Sequence, residues 1–121
     1  MALNFKRTET FATTVHVEMP SDDEKKPLKG SFVARFRHLN REQIKVLQED
    51  LKDGRLTDEL FLDGYLVGVS GIGDADGKAL HESDQRTIVY TEPAVTLATV
   101  RAFFSAITGA AANNLKPSRM R

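Results

Sequence analysis

Apolar and polar positions along this chain keep a two-residue period near the start and a helical one afterwards. From Thr10 to Met19 the residues alternate, with Phe11, Thr13, Val15, Val17 and Met19 on one side and Ala12, Thr14, His16 and Glu18 on the other. That is the period of a half-buried strand over 10–19. Ser31 to His38 alternates again, Phe32, Ala34 and Phe36 against Val33, Arg35 and Arg37, and predicts a second strand over 31–38. Between them Pro20 to Gly30 is charged, contains Pro20 and Pro27 and ends in glycine, which reads as a surface loop. Two strands so joined form an antiparallel hairpin with one apolar face, and a lone hairpin is marginal in water, so that face needs a cover.

Helical spacing supplies the cover. Asn40 is a good N-cap, Glu42 and Gln43 fall in the first turn, and Leu39 with Ile44 has the spacing of a hydrophobic staple. Ile44, Leu47 and Leu51 repeat at helical intervals until Asp53-Gly54, giving a helix over 40–53. Thr57 opens a second one over 57–66, with Asp58 and Glu59 near the positive end of its dipole and Leu60, Phe61, Tyr65 and Leu66 along it. Gly64 costs that helix about 1 kcal/mol. From Val67 to Ile72 the glycines make a helix unfavourable, so the chain is extended or bent, and Asp74 to Gly77 reads as a tight turn. Ser83 is the expected cap of a short helix over 83–90. Pro93, suited only to a first turn, opens the last helix over 92–113, with a stripe of Val95, Leu97, Val100, Phe103, Phe104 and Ile107. Gly109 weakens it and Asn113-Asn114 is its expected end. The pattern predicts an α+β fold, with the N-terminal hairpin packed on a bundle of three to four helices. It forms a single domain over 1–121, with a flexible 1–8 and a basic tail over 114–121.

Composition narrows the function classes. A chain of 121 residues has the length of one domain and can bury a core without staples. It contains no cysteine, which removes disulfides, thiolate metal sites and cysteine nucleophiles. Lys plus Arg and Asp plus Glu both number 17, so no net field draws the protein to nucleic acid or to an anionic membrane. The N-terminus lacks the apolar segment of a signal peptide, and no run approaches the roughly 18 apolar residues of a membrane span. A soluble, intracellular protein is the expectation.

Candidate chemistry is sparse. Gly68, Gly71 and Gly73 give G-x-x-G-x-G, the reverse of the dinucleotide fingerprint, and no P-loop Lys-Ser/Thr pair follows. Ser70 would need glycine in place of Ile72 to sit in a nucleophile elbow. Asp74-x-Asp76-Gly77 has two acids before its glycine where an EF-hand loop has three ligands, and Glu82 comes too early for the bidentate position, so a structural turn is the better reading. His16, His38 and His81 are scattered, and His81-Glu82 lacks the second histidine of a zinc helix. Arg35 and Arg37 share a strand face without aromatics, so the stacking platform of an RNA-binding sheet is missing. No catalytic residues, cofactor or metal ligands are assigned, and an enzyme is not expected. Apolar helices leave room for a groove that takes a partner helix.

The order Leu39-Asn40-Arg41-Glu42-Gln43-Ile44, Leu47, Asp50-Leu51, Thr57-Asp58-Glu59, Phe61-Leu62, Val67-Gly68-Val69-Ser70-Gly71-Ile72 and Asp74-Ala75-Asp76-Gly77 resembles the tail assembly chaperones of long-tailed phages and prophages. The similarity runs from the strand at Phe11 to the helix start Thr91-Glu92-Pro93-Ala94-Val95. It departs from the family at Val69, where a tryptophan usually precedes the serine. The resemblance implies a temporary partner of the tape measure protein, the helical rod that sets tail length. Such a partner keeps the rod soluble, helps recruit tail tube protein, and leaves before the tail matures, so it belongs to the cytoplasm of the infected or lysogenic host and not to the virion. Many members also occur as a frameshifted longer form, a further partner that the resemblance implies. A homo-oligomer is the remaining partner expected. On this reading Phe61, Tyr65, Leu66, Val69, Phe103 and Phe104 form or support the partner-binding surface. A structural phage tail protein, either a tail terminator or a tube-like subunit, is the alternative.

Overall fold

The computed structural model of the protein describes residues 8–109. Strand β1 spans Thr10–Met19 and β2 spans Leu28–Arg37, paired antiparallel from Thr10 opposite Arg37 to Met19 opposite Leu28. The second strand starts three residues before the expected Ser31, because the pairing with β1 continues through Val17 opposite Gly30 and Glu18 opposite Lys29 to Met19 opposite Leu28 and carries the ladder into the loop. Helix α1 covers Arg41–Lys52 and α2 covers Asp58–Tyr65. A capping box starts α1, with Gln43 N–H donating to Asn40 Oδ1 and Asn40 N–H to Gln43 Oε1, both at 2.9 Å. Thr57 Oγ1 caps α2 by accepting from Leu60 N–H at 3.2 Å.

The chain then adds a strand that the glycines of the middle segment left open. β3, Leu66–Ser70, pairs antiparallel with β2 on the side away from β1, so the sheet order is β1-β2-β3. Ala34 lies opposite Val69 and Arg35 opposite Gly68, and the register then slips so that Phe36 meets Leu66. Val67 is the extra residue of this bulge and is exposed. Gly71 leaves β3 at φ +97, where a Cβ would come within 3.4 Å of Phe32 Cα, so the turn off the sheet requires glycine.

Helix α3, Glu82–Thr91, and α4, Pro93–Thr108, complete the fold. His81, rather than Ser83, caps α3: Ser83 N–H donates to His81 Nδ1 at 3.3 Å, and the Ser83 hydroxyl lies 2.9 Å from the same nitrogen. Pro93 occupies the first turn of α4, and Gly109 closes that helix in the left-handed region at φ 75. The expected end at Asn113-Asn114, the basic tail and residues 1–7 lie outside the described residues. α4 lies across β1, α3 packs on β3 and on α4, and α2 packs on α4. The helices cover one face of the sheet. The other face carries Thr14, His16, Lys29, Val33, Arg35 and Arg37 to solvent. The core between the layers holds Val15, Phe36, Phe61, Leu62, Val89 and Phe103, each with no exposed surface. Among the described residues no helix is long and apolar enough to cross a membrane.

Candidate functional site

Phe61 and Phe103 sit at the centre of an aromatic cluster. Their rings meet edge to face with centroids 5.0 Å apart, Phe103 meets Phe36 the same way at 5.1 Å, and Phe104 stands edge-on to Phe103 at 5.0 Å. Tyr65 joins through Phe61 at 5.4 Å. The structure thus gathers four of the six residues expected at a partner surface into one cluster, and places Leu66 and Val69 beside it on the inner face of β3. Phe61 and Phe103 are fully enclosed, and Leu66 and Val69 are 6 % exposed, so these four are core positions, a distinction that the sequence pattern does not make. Tyr65 and Phe104 are half-buried and keep part of a ring at the boundary. The physical reason is that a large apolar side chain on a helix stripe reads the same in sequence whether it faces the core or an open groove.

The apolar surface left open comes from other residues. A cleft of about 270 Å³ lies under the far end of the β1–β2 hairpin. Val17, Met19, Leu28 and Phe32 form its sheet wall, with Ile72, Ile88 and Val95 opposite. Leu28 is 61 % exposed at its mouth. Sequence reasoning missed Leu28 because Pro27 and the surrounding charges assigned it to the loop. The signal was present, since counting back in twos from Phe32 through Gly30 puts Leu28 on the apolar face. A second cleft of about 360 Å³ separates α1 from α2 and is walled by Val46, Leu47, Leu56 and Tyr65, with Gln43 and Asp50 at its rim. Both are lined largely by apolar side chains.

The polar candidates resolve into structure. Asp74 Oδ1 accepts from Asp76 N–H at 2.9 Å and from Lys78 N–H at 3.0 Å, and Gly77 N–H donates to the Asp74 carbonyl. The carboxylate therefore holds a turn. Gly68 lies within β3 and Gly73 bridges to Ala79, so the glycine run leads into that turn and not into a helix N-terminus that would cradle phosphate. His38 closes a polar recess of about 630 Å³ with Thr8, Glu9, Thr10, Arg37 and Gln43, and its ring stands edge-on to Phe11 at 5.7 Å. Among the described residues, no three of His, Asp and Glu converge as metal ligands.

Among the described residues, Tyr90 on α3 is the one group whose acidity is moved far. Burial, helped by the neighbouring Asp63 carboxylate, raises its phenol from 10.0 to about 12. It stays protonated throughout the physiological range and acts as a half-buried packing residue.

Comparison with protein-family models, with curated proteins and with solved structures finds no match for this chain.

Proposed function

We propose that the protein is a phage or prophage tail assembly chaperone that binds the tape measure protein, keeps its apolar helices soluble and helps recruit tail tube subunits. The apolar cleft under the hairpin carries this reading, because Val17, Met19, Leu28, Ile72, Ile88 and Val95 offer an apolar surface beside a sheet wall, suited to the apolar face of a helix. The motif order from Leu39 to Gly77 supports it. Each engagement is weak, and many copies along one rod sum to a durable coat.

The test is co-expression with the long helical protein encoded beside this one, scoring the rod's soluble fraction and its co-elution with the chaperone. The rod becomes soluble with the wild-type chain, and Leu28→Glu, which places a charge at the mouth of the cleft, leaves it insoluble. A rod that is equally soluble with and without the chain refutes the proposal.

A structural tail subunit is the second reading, and the outer edge of β1, a long strand that among the described residues has no neighbour on that side, is the observation in its favour. Recovery of the chain from purified virions decides for it.

A further inference from the structure

The two edges of the sheet are treated differently. At β3, Arg86 Nη2 donates to the Val67 carbonyl at 2.5 Å and to the Leu66 carbonyl at 3.3 Å, and just beyond the strand Gln85 Oε1 accepts from Ile72 N–H. Side chains of α3 occupy that edge. β1 is ten residues long, has no proline, and keeps an unbroken register with β2.

The phase of β1 follows from one bond, His38 N–H donating to the Glu9 carbonyl at 2.8 Å. In an antiparallel ladder the main-chain groups of every second residue point to the same side. Phe11, Thr13, Val15, Val17 and Met19 therefore face β2, and Thr10, Ala12, Thr14, His16 and Glu18 face outward. The Thr10 carbonyl accepts from Thr8 Oγ1 at 2.6 Å. Among the described residues the N–H and C=O groups of Ala12, Thr14, His16 and Glu18 bond to no other residue. A straight edge of this length is a template for another strand, and proteins ordinarily guard it with a proline, a bulge or a cover.

We propose that β1 pairs with β1 of a second copy, antiparallel about a twofold axis at Thr14, so that the two sheets become one. The strand is self-complementary in that register. Thr14 faces Thr14, Ala12 faces His16 and Thr10 faces Glu18, and all of these residues direct their main-chain groups outward. On the helix side Thr13 meets Val15 and Phe11 meets Val17, pairs of the kind that stabilise sheets. Glu18, the one carboxylate of the strand, meets a threonine and keeps its own Lys29 at 3.9 Å. An axis at Val15 would bring Pro20, which has no N–H, opposite Thr10. One at His16 would bring it opposite Ala12 and set the two imidazoles together. Beside the edge, Thr13 and Thr14 share a groove of about 320 Å³ with Ala98, Ala102 and Ala106 of α4, small side chains that let a second helical layer approach. Arg101 in the same groove is exposed and free to extend into solvent. A twofold contact of this type closes on itself, because it consumes the open edge of both copies.

The experiment weighs the full chain by light scattering between about 1 and 200 μM, a span that covers micromolar dissociation constants. The mass rises toward twice that of the chain. Thr14→Pro removes an outward N–H at the axis, leaves the ladder to β2 intact, and weakens association at least about tenfold at unchanged circular dichroism. The chain has no cysteine, so Thr14→Cys supplies a single thiol that lies within disulfide reach of its twin across a hydrogen-bonded pair. Under mild oxidation it gives covalent dimer at least about tenfold faster than Ser70→Cys, an exposed control on β3. The Thr14→Cys result decides the matter even where Thr14→Pro fails to fold. A monomer at every concentration, a dimer indifferent to Thr14→Pro, or equal cross-linking from the two cysteines overturns the proposal. So does a monomer that loses tape measure binding on Thr14→Pro, which would assign the edge to that protein.

Discussion

Gln85 holds Ile72 by its main chain: Oε1 accepts from the Ile72 N–H at 3.0 Å while Nε2 donates to the Leu80 carbonyl at 2.8 Å. One buried side chain thereby spans the two ends of the segment that carries the Asp74 turn, where Leu80 N–H also donates to the Ile72 carbonyl. Gln85→Leu keeps the volume and strands one donor and one acceptor. It lowers stability by about 1–3 kcal/mol, read as a lower urea midpoint at unchanged slope. An unchanged midpoint would mean that water reaches both groups and that Gln85 is dispensable.

At the start of α1 the reciprocal bonds of Asn40 and Gln43 make a second test. Asn40→Ala costs about 1 kcal/mol. Combining it with Gln43→Ala costs less than the sum of the two, since each change already breaks the box. Strictly additive losses in thermal denaturation would show that the two bonds act independently.

Core and cleft are separable by contrast. Phe103→Ala opens a cavity beneath Phe36, Phe61 and Phe104 and costs about 3–5 kcal/mol, enough to threaten the fold itself. Leu28→Glu acts at a side chain 61 % exposed and shifts stability by no more than about 0.5 kcal/mol, and on the proposed function it removes rod solubilisation in co-expression. A Leu28→Glu protein that solubilises the rod as well as wild type moves the binding surface away from the hairpin.

Tyr90 gives the pH dependence. Its phenol titrates near 12 in the folded protein against 10.0 in the unfolded chain, because burial and Asp63 both disfavour the phenolate. Above the unfolded value the open chain gives up this proton and the folded one keeps it. The contribution is therefore complete below pH 10 and is lost as pH rises toward 12. Tyr90→Phe removes that part of the alkaline fall in stability, measured by denaturation at a series of pH values. An identical alkaline fall in the variant would place its origin in other groups.

The alternation of Thr10 to Met19, the caps at Asn40 and Thr57 and the first-turn proline at Pro93 were legible because each is a local rule, satisfied within a few residues. β3 was not, because Val67 to Ser70 earns its strand character only from a partner, Val33 to Phe36, distant in sequence, and glycine obscures its period. His81 displaced Ser83 as a cap because an imidazole nitrogen serves as acceptor, an option that ordinary cap preferences rank below a hydroxyl. Phe61, Tyr65, Phe103 and Phe104 read as one apolar stripe each on α2 and α4, but which side of those helices meets the sheet is a tertiary fact. Leu28, on the surface that remained, lay hidden in a charged loop.

The packing of α4 across β1 has a kinetic consequence. The first strand of the sheet is covered by the last helix, so the inner face of Phe11, Val15 and Val17 stays wet until Pro93–Thr108 has been synthesised and has folded back over it. That closure joins segments far apart in the chain, and its entropic cost must be met before the contacts between them reward it. The hairpin and the capped helices have local reasons to form early. On a nascent chain an open strand edge and an uncovered sheet face therefore coexist until α4 has been made.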